Sequence, residues 1–185
     1  MPFATLAPQK VLWSTPAPAI ARALEELQLT PHDKLLDIGC GDGRTLVEAA
    51  RRCGCRAVGY ESQPERAEEA RCRVTEAGLS DRVYVVTGNA MDVLQSVLVE
   101  EEVTACFLFL SDRGNARLLP FLRKNPTPLR VASWLYPFRG LAPEEAQRKL
   151  WVQPKPDNPD VKLPLYCLCV GGPRHIAQQP PSSNE

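Results

Sequence analysis

Residues 35–44 read Leu-Leu-Asp-Ile-Gly-Cys-Gly-Asp-Gly-Arg, and they constrain the fold more than any other stretch of the chain. An apolar strand carrying the carboxylate Asp37 runs into a turn with glycines at 39, 41 and 43, and a helical pattern begins at Arg44. Glycine reaches backbone conformations closed to other residues, so such a turn lets a ligand approach the main chain at a helix N-terminus. Dinucleotide sites use the same geometry, but their fingerprint wants a third glycine where this chain has Arg44. Asp37 also argues against a pyrophosphate, which a nearby anion repels. The competing reading is a tight turn with no ligand.

The next two strands bear on that choice. Arg56 to Glu61 is a short apolar strand ending in an acid, 20 residues beyond Gly41. Doubly wound nucleotide folds place an acid at about that offset (~20) to accept hydrogen bonds from ribose hydroxyls. The bland alternative for Glu61 is a solvated acid ahead of a helix, where a carboxylate suits the dipole. A third strand, Arg82 to Thr87, leads into Gly88-Asn89-Ala90-Met91-Asp92. A ligand with an ammonium group, a sulfonium and no phosphate suits Asp37, and S-adenosylmethionine is such a ligand. With these residues in place, Leu35 to Arg44 resembles motif I of the class I methyltransferases. That resemblance implies cofactor contacts from Asp37, Gly39, Cys40, Gly41 and Glu61, with Leu110 beside them at the end of the fourth strand. It also implies that Asn89 accepts a hydrogen bond from the adenine amino group, with Ala90 next to it.

Composition removes several function classes. Twenty-two basic and twenty-two acidic residues balance, so no global charge draws the chain to nucleic acid or membrane. No apolar run approaches the ~20 residues that span a bilayer, and no secretory pattern opens the sequence. Seven cysteines, an odd number scattered through strands and helices, suggest reduced thiols and a cytoplasmic setting, with mitochondrial as the alternative. The pairs Cys53/Cys55 and Cys167/Cys169 have one-residue spacing where zinc pairs usually have two to four, so core filling is expected and no metal.

Strands alternating with amphipathic helices predict an α/β fold: a doubly wound, mostly parallel, seven-stranded Rossmann-like sheet with a C-terminal antiparallel strand. Residues 1–16 read as an N-terminal arm, 17–170 as the domain and 171–185 as a disordered tail. Within the domain, helices are expected at 17–29, 43–53, from Pro64 to Gly78, at 91–99 and at 114–124. Val93, Leu94, Val97 and Leu98 form the apolar set of the fourth helix, and a weak helix is expected from Pro143 to Leu150. Val103 to Leu110 reads as a central strand buried on both faces, followed by strands at 129–134, 149–153 and 165–170.

In open α/β sheets the ligand lies outside the carboxyl ends of the strands. The segment after the fourth strand, Phe109-Leu110-Ser111-Asp112-Arg113-Gly114-Asn115, lacks the Asn/Asp-Pro-Pro-aromatic motif of base amino methylation. It also lacks the Pro-Cys of cytosine C5 enzymes and the paired glutamates of arginine methyltransferases. Only His32 and His175 are available as imidazole bases, both remote in sequence from that segment. A substrate that arrives as a neutral nucleophile, such as a deprotonated lysine amine, remains.

Ser14-Thr15-Pro16, Phe107 to Pro120 and Val131-Ala132-Ser133 are similar to blocks of a compact methyltransferase family. That family includes the lysine N-methyltransferases of the ATP synthase c-subunit and the adenine nucleotide translocase. The resemblance implies a protein substrate, with RNA or a small molecule as the alternative acceptor and a non-catalytic binding module as the alternative outside enzymes. By position, Thr15 closes over the methionine end of the cofactor, with Trp13 beside it, unless the arm simply packs on the sheet. Tyr136 and Phe138 are candidate walls of an alkyl-amine channel, or else core-edge aromatics. The basic side chains between 112 and 139 (Arg113, Arg117, Arg123, Lys124, Arg130 and Arg139) are either a rim for an acidic partner or a solvated face.

Overall fold

Residues 14–143, 145–155 and 157–172 are described by a computed structural model of the chain. Trp13 and the tail from residue 173, including His175, lie outside the described residues.

Helix α1 (Ala17–Leu27) begins after Pro16, with proline also in its first turn, and buries Ala19, Ile20, Ala23, Leu24 and Leu27. It ends earlier than its apolar spacing predicts, because Gln28 turns left-handed at φ 48°. Strand β1 (Lys34–Ile38) then enters the sheet, and α2 (Arg44–Cys53) leaves the glycine turn and stops at Gly54, left-handed at φ 68°. Strand β2 (Arg56–Glu61) is followed by α3 (Pro64–Glu76), whose proline stands where a missing N–H costs nothing. After β3 (Val83–Thr87), Asn89 caps a 3-10 turn over Ala90–Asp92 by accepting from the Met91 N–H. Helix α4 (Leu94–Glu100) starts only after Val93, whose φ of −130° interrupts the helical run. Val93 is therefore exposed rather than buried with Leu94, Val97 and Leu98.

Strand β4 (Ala105–Leu108) is buried along its whole length, and α5 (Asp112–Leu122) buries Leu118, Leu119 and Leu122 against the sheet. Strands β5 (Pro128–Trp134), β6 (Arg148–Val152) and β7 (Leu163–Gly171) complete the sheet. The helix expected from Pro143 to Leu150 is not formed. Gln147 Oε1 accepts from the Phe138 N–H at 2.7 Å and Glu145 holds Arg123, so tertiary bonds keep this stretch open until β6 begins.

The sheet order is β3-β2-β1-β4-β5-β7-β6. Neighbouring strands from β3 through β5 pair in parallel, while β7 pairs antiparallel with both β5 and β6. The chain starts at β1, winds outward through β2 and β3, then returns to the other side of β1 with β4. That reversal leaves a crevice at the carboxyl ends of β1 and β4, where ligands of open α/β sheets sit. One apolar cluster, with α1, α2 and α3, fills one face of the sheet, and a second, with α4 and α5, fills the other. All seven cysteines are free thiols, with Cys40, Cys55, Cys106 and Cys167 buried. Cys169, two residues further along β7, is exposed and does not fill the core as the sequence led us to expect. Among the described residues, no helix is long and apolar enough to cross a membrane.

Candidate functional site

The glycine turn is held open by backbone bonds to its neighbour strand. The N–H groups of Gly39 and Cys40 both donate to the Tyr60 carbonyl at the end of β2, at 2.8 and 3.1 Å. Glycines 39, 41 and 43 have φ of 80°, 56° and 75°, the left-handed region that side chains resist. Cys40 turns its side chain inward, since a Cβ on Gly59 would meet Cys40 Sγ at 2.6 Å. Only the backbone of Cys40 is therefore available to a ligand in the turn.

Three acids converge here. Glu61 Oε2 accepts from the Gly41 N–H at 2.9 Å, and Oε1 accepts from the Gln63 N–H at 2.9 Å, which ties the end of β2 to the turn after β1. Asp37 is 3% exposed, and burial together with the Glu61 and Asp42 charges pushes its carboxyl up to about 8, opposed by a Thr45 hydrogen bond. Asp42 goes the other way. Burial works against its ionisation, but bonds and charge from Arg44, with the Arg73 charge added, hold it below the usual carboxylate range. Asp42 is thus a structural brace between the turn and α3, while the Asp37 and Glu61 carboxylates carry no cationic side chain of their own among the described residues.

Arg66, in the first turn of α3, was not marked by any motif, yet its guanidinium lies across the turn. A Cβ on Gly41 would fall 2.7 Å from Arg66 Nη2. The signal that could have found it is its place two residues past the helix-opening Pro64 that follows Glu61. Thr45, one residue into α2, was likewise unmarked.

Asn89 is exposed and uses Oδ1 to accept from the Met91 N–H at 3.1 Å, while Ala90 beside it is buried. Leu110 packs against the turn, with Cδ2 3.6 Å from where a Cβ on Gly39 would stand. Thr15 is 6% exposed at the foot of α1.

Beyond β4 and β5, Phe109 and Tyr136 stack with ring centroids 6.5 Å apart and planes at 26°. Both are half-buried. Phe138 does not join them: it is 3% exposed in the core beneath α5, so its role is packing rather than a channel wall. Leu135, directly after β5, has φ 68°, a conformation costing a non-glycine residue on the order of 1–3 kcal/mol.

The basic stretch does not form one rim. Arg130 reaches the opposite end of the sheet, where it pairs with Asp33 and donates to the Leu27 and Gln28 carbonyls. Arg123 grips Glu145 and the Gly140 carbonyl, and Arg139 pairs with Asp112 at 3.1 Å. Lys124 rests over the Phe121 ring, and the Arg113 and Arg117 side chains lie on the exposed face of α5. Among the described residues, no group of three or more His, Cys, Asp or Glu side chains is placed to hold a metal ion.

Comparison with known proteins agrees with this geometry. A family model described as the ANTKMT methyltransferase domain matches residues 37–145. A protein-lysine N-methyltransferase of Saccharolobus islandicus is 35% identical over 133 residues, which span 71% of this chain and 80% of that protein. Among solved structures, an RNA methyltransferase from Salinibacter ruber in complex with S-adenosyl-L-homocysteine has a TM-score of 0.69 and 27% identity. The match covers 94% of this chain and 100% of that one. An O-methyltransferase from Bacillus cereus shares the fold, with a TM-score of 0.66 at 18% identity over 87% of this chain and 84% of that one. With the crevice, its acids and these relatives in view, the chain belongs to the ANTKMT methyltransferase domain family and is an S-adenosylmethionine-dependent methyltransferase.

Proposed function

We propose that this enzyme methylates the side-chain amine of lysine in a protein substrate. The observation that carries the reading is the similarity to a protein-lysine N-methyltransferase along 80% of that protein's length. In this reading Asp37 faces the cationic methionine end of the cofactor, Glu61 holds the ribose hydroxyls and Asn89 meets the adenine. Glu61 keeps lone pairs free for this, because a carboxylate offers about four acceptor positions and the turn occupies only some of them. Gly39, the Cys40 backbone and Gly41 form the floor, with Ala90, Leu110 and Thr15 at the sides. Bound there, S-adenosylmethionine supplies a methyl group on a sulfonium, activated for in-line displacement.

The chain's own task is alignment and exclusion of water. Beyond the carboxyl end of β4, the Asp112 side chain is paired with Arg139 at 3.1 Å. Lysine suits this arrangement because its amine becomes the nucleophile simply by losing its proton to solvent. The Phe109 and Tyr136 rings offer an apolar wall for the alkyl stem of that residue.

The Salinibacter ruber structure, matched along its whole length, favours RNA as the second reading. Arg123 and Arg130 are drawn off into partly buried pairs with Glu145 and Asp33, which counts against it, since phosphate backbones call for clustered cations. Purified enzyme incubated with cell extract and methyl-tritiated S-adenosylmethionine separates the two. Label in acid-stable protein supports lysine methylation, and label confined to RNA overturns it.

A further inference from the structure

Asn115 and Ser133 are both wholly buried, although neither is an apolar residue and neither belongs to the cofactor crevice. Burying polar groups is costly unless their bonds are met, so their partners indicate their use. Asn115 Nδ2 donates to Ser133 Oγ at 3.0 Å and to the Tyr136 carbonyl at 2.9 Å, with the Pro137 carbonyl at 3.4 Å. Ser133 Oγ donates to the same Tyr136 carbonyl at 2.7 Å. Two side chains from different elements thus converge on one main-chain oxygen.

The residue that carries that oxygen also ends an unusual turn. The Tyr136 N–H donates back to the Trp134 carbonyl at 2.9 Å around Leu135 with its φ of 68°, a γ-turn of the rare, strained hand. From β7, the Pro164 carbonyl accepts the Leu135 N–H at 2.9 Å. A strained conformation persists only where its surroundings over-determine it, and here three bonds from α5, β5 and β7 do so. The turn fixes the direction in which Tyr136 leaves β5. Its ring meets Phe109, the residue before Leu110, and Leu110 in turn touches the glycine turn at Gly39.

We propose that Asn115 and Ser133 are positioning residues for the methyl acceptor, holding Tyr136 against Phe109 through the strained turn at Leu135. The aromatic pair so held is the wall along which an alkylammonium side chain lies beside the methyl donor. The inference rests on the lysine reading for the identity of the acceptor, but the clamp itself is separable from it. Ring faces attract ammonium and methylammonium groups and pack against the hydrocarbon stem. The acceptor is therefore retained without a carboxylate that would hold its amine protonated.

The test uses the full chain labelled with 3-fluorotyrosine, which places reporters at Tyr60, Tyr84, Tyr136 and Tyr166, with the Tyr136→Phe variant assigning the Tyr136 line. Ser133→Ala and Asn115→Ala are expected to shift or broaden the Tyr136 fluorine line while the other three stay in place. S-adenosylhomocysteine affinity should stay within about twofold of wild type, a change as small as that of distant, uncoupled sites. With poly-L-lysine as acceptor, each variant should lower kcat/KM by roughly tenfold through KM, as should Tyr136→Ala, and the double variants should be no worse. Ser133→Ala removes two bonds against the three of Asn115→Ala, so it keeps the test alive if Asn115→Ala does not fold. An unmoved Tyr136 line, or losses that multiply in the double variants, would overturn the clamp. If wild type labels RNA and not poly-L-lysine, the lysine reading fails, and the fluorine spectrum still decides the clamp by the same criterion.

Discussion

Asp37 is expected to give up a proton when the cofactor binds. In the free protein its carboxyl is buried beside Glu61 and Asp42 and stands at about 8, so at pH 7 it is ~90% protonated. A ligand ammonium placed against it favours the ionised form, so binding of S-adenosylhomocysteine at pH 7 should release close to one proton. Affinity should then rise by nearly tenfold per unit between about pH 6 and 7, and level off toward pH 8, where the ligand's own amine begins to deprotonate. The same group affects stability with a fixed sign. Its folded value lies above the unfolded one, so its contribution is complete below about pH 4 and is lost as pH rises through about 8. Between pH 6 and 8 the loss comes to about 2 kcal/mol, or about 4–8 °C in the melting temperature of the free protein. Calorimetric titration in two buffers of different ionisation enthalpy measures the proton count, and a thermal melt series measures the stability. Asp37→Asn should abolish the proton release and flatten the melt series. The same binding enthalpy in both buffers, with affinity flat across that range, would refute the reasoning.

Three further outcomes follow from the same geometry. Glu61→Ala should weaken S-adenosylhomocysteine binding by at least about tenfold in calorimetry, since charge-assisted bonds contribute roughly 1.5–3 kcal/mol and the Gly41 N–H also loses its acceptor. Gly59→Ala forces a Cβ to within 2.5 Å of Leu46 Cδ1 and 2.6 Å of Cys40 Sγ. Overpacking of that kind should cost about 1–3 kcal/mol in a denaturant titration. With lysine as nucleophile, initial rates at saturating cofactor should climb nearly tenfold per pH unit from about 7 to 9, because the amine's ordinary value is about 10.4. A flat pH profile would point to a different nucleophile.

The strand–turn–helix element that makes the donor half of the candidate site was legible in the sequence because it is built from local signals. Glycines at 39, 41 and 43, an acid at each of two strand ends and the length of the apolar runs place β1, β2 and the turn between them. The acceptor half is built from contacts between distant residues. Asn115 reads as an ordinary polar residue, and only its spacing from Leu118, Leu119 and Leu122 puts it on the buried face of α5. No pattern in the sequence announces that Arg130 pairs with Asp33, 97 residues earlier, so the basic stretch looks continuous until it is folded. The segment from Pro143 to Leu150 failed for a related reason: its weak helical propensity is overruled by Gln147 and Glu145 bonding to the loop after β5 and to α5. At Val93, a local event misled instead, because the Asn89 cap starts a short 3-10 turn and the helix restarts out of phase.

The most direct test of the account is a crystal structure of the protein with S-adenosylhomocysteine. The account predicts the ribose hydroxyls on the Glu61 carboxylate, the adenine amino group at Asn89 and the ligand ammonium facing Asp37, with the sulfur directed past Leu110 toward Tyr136 and Phe109. A ligand bound away from the glycine turn, or one whose sulfur faces away from the aromatic pair, would contradict it.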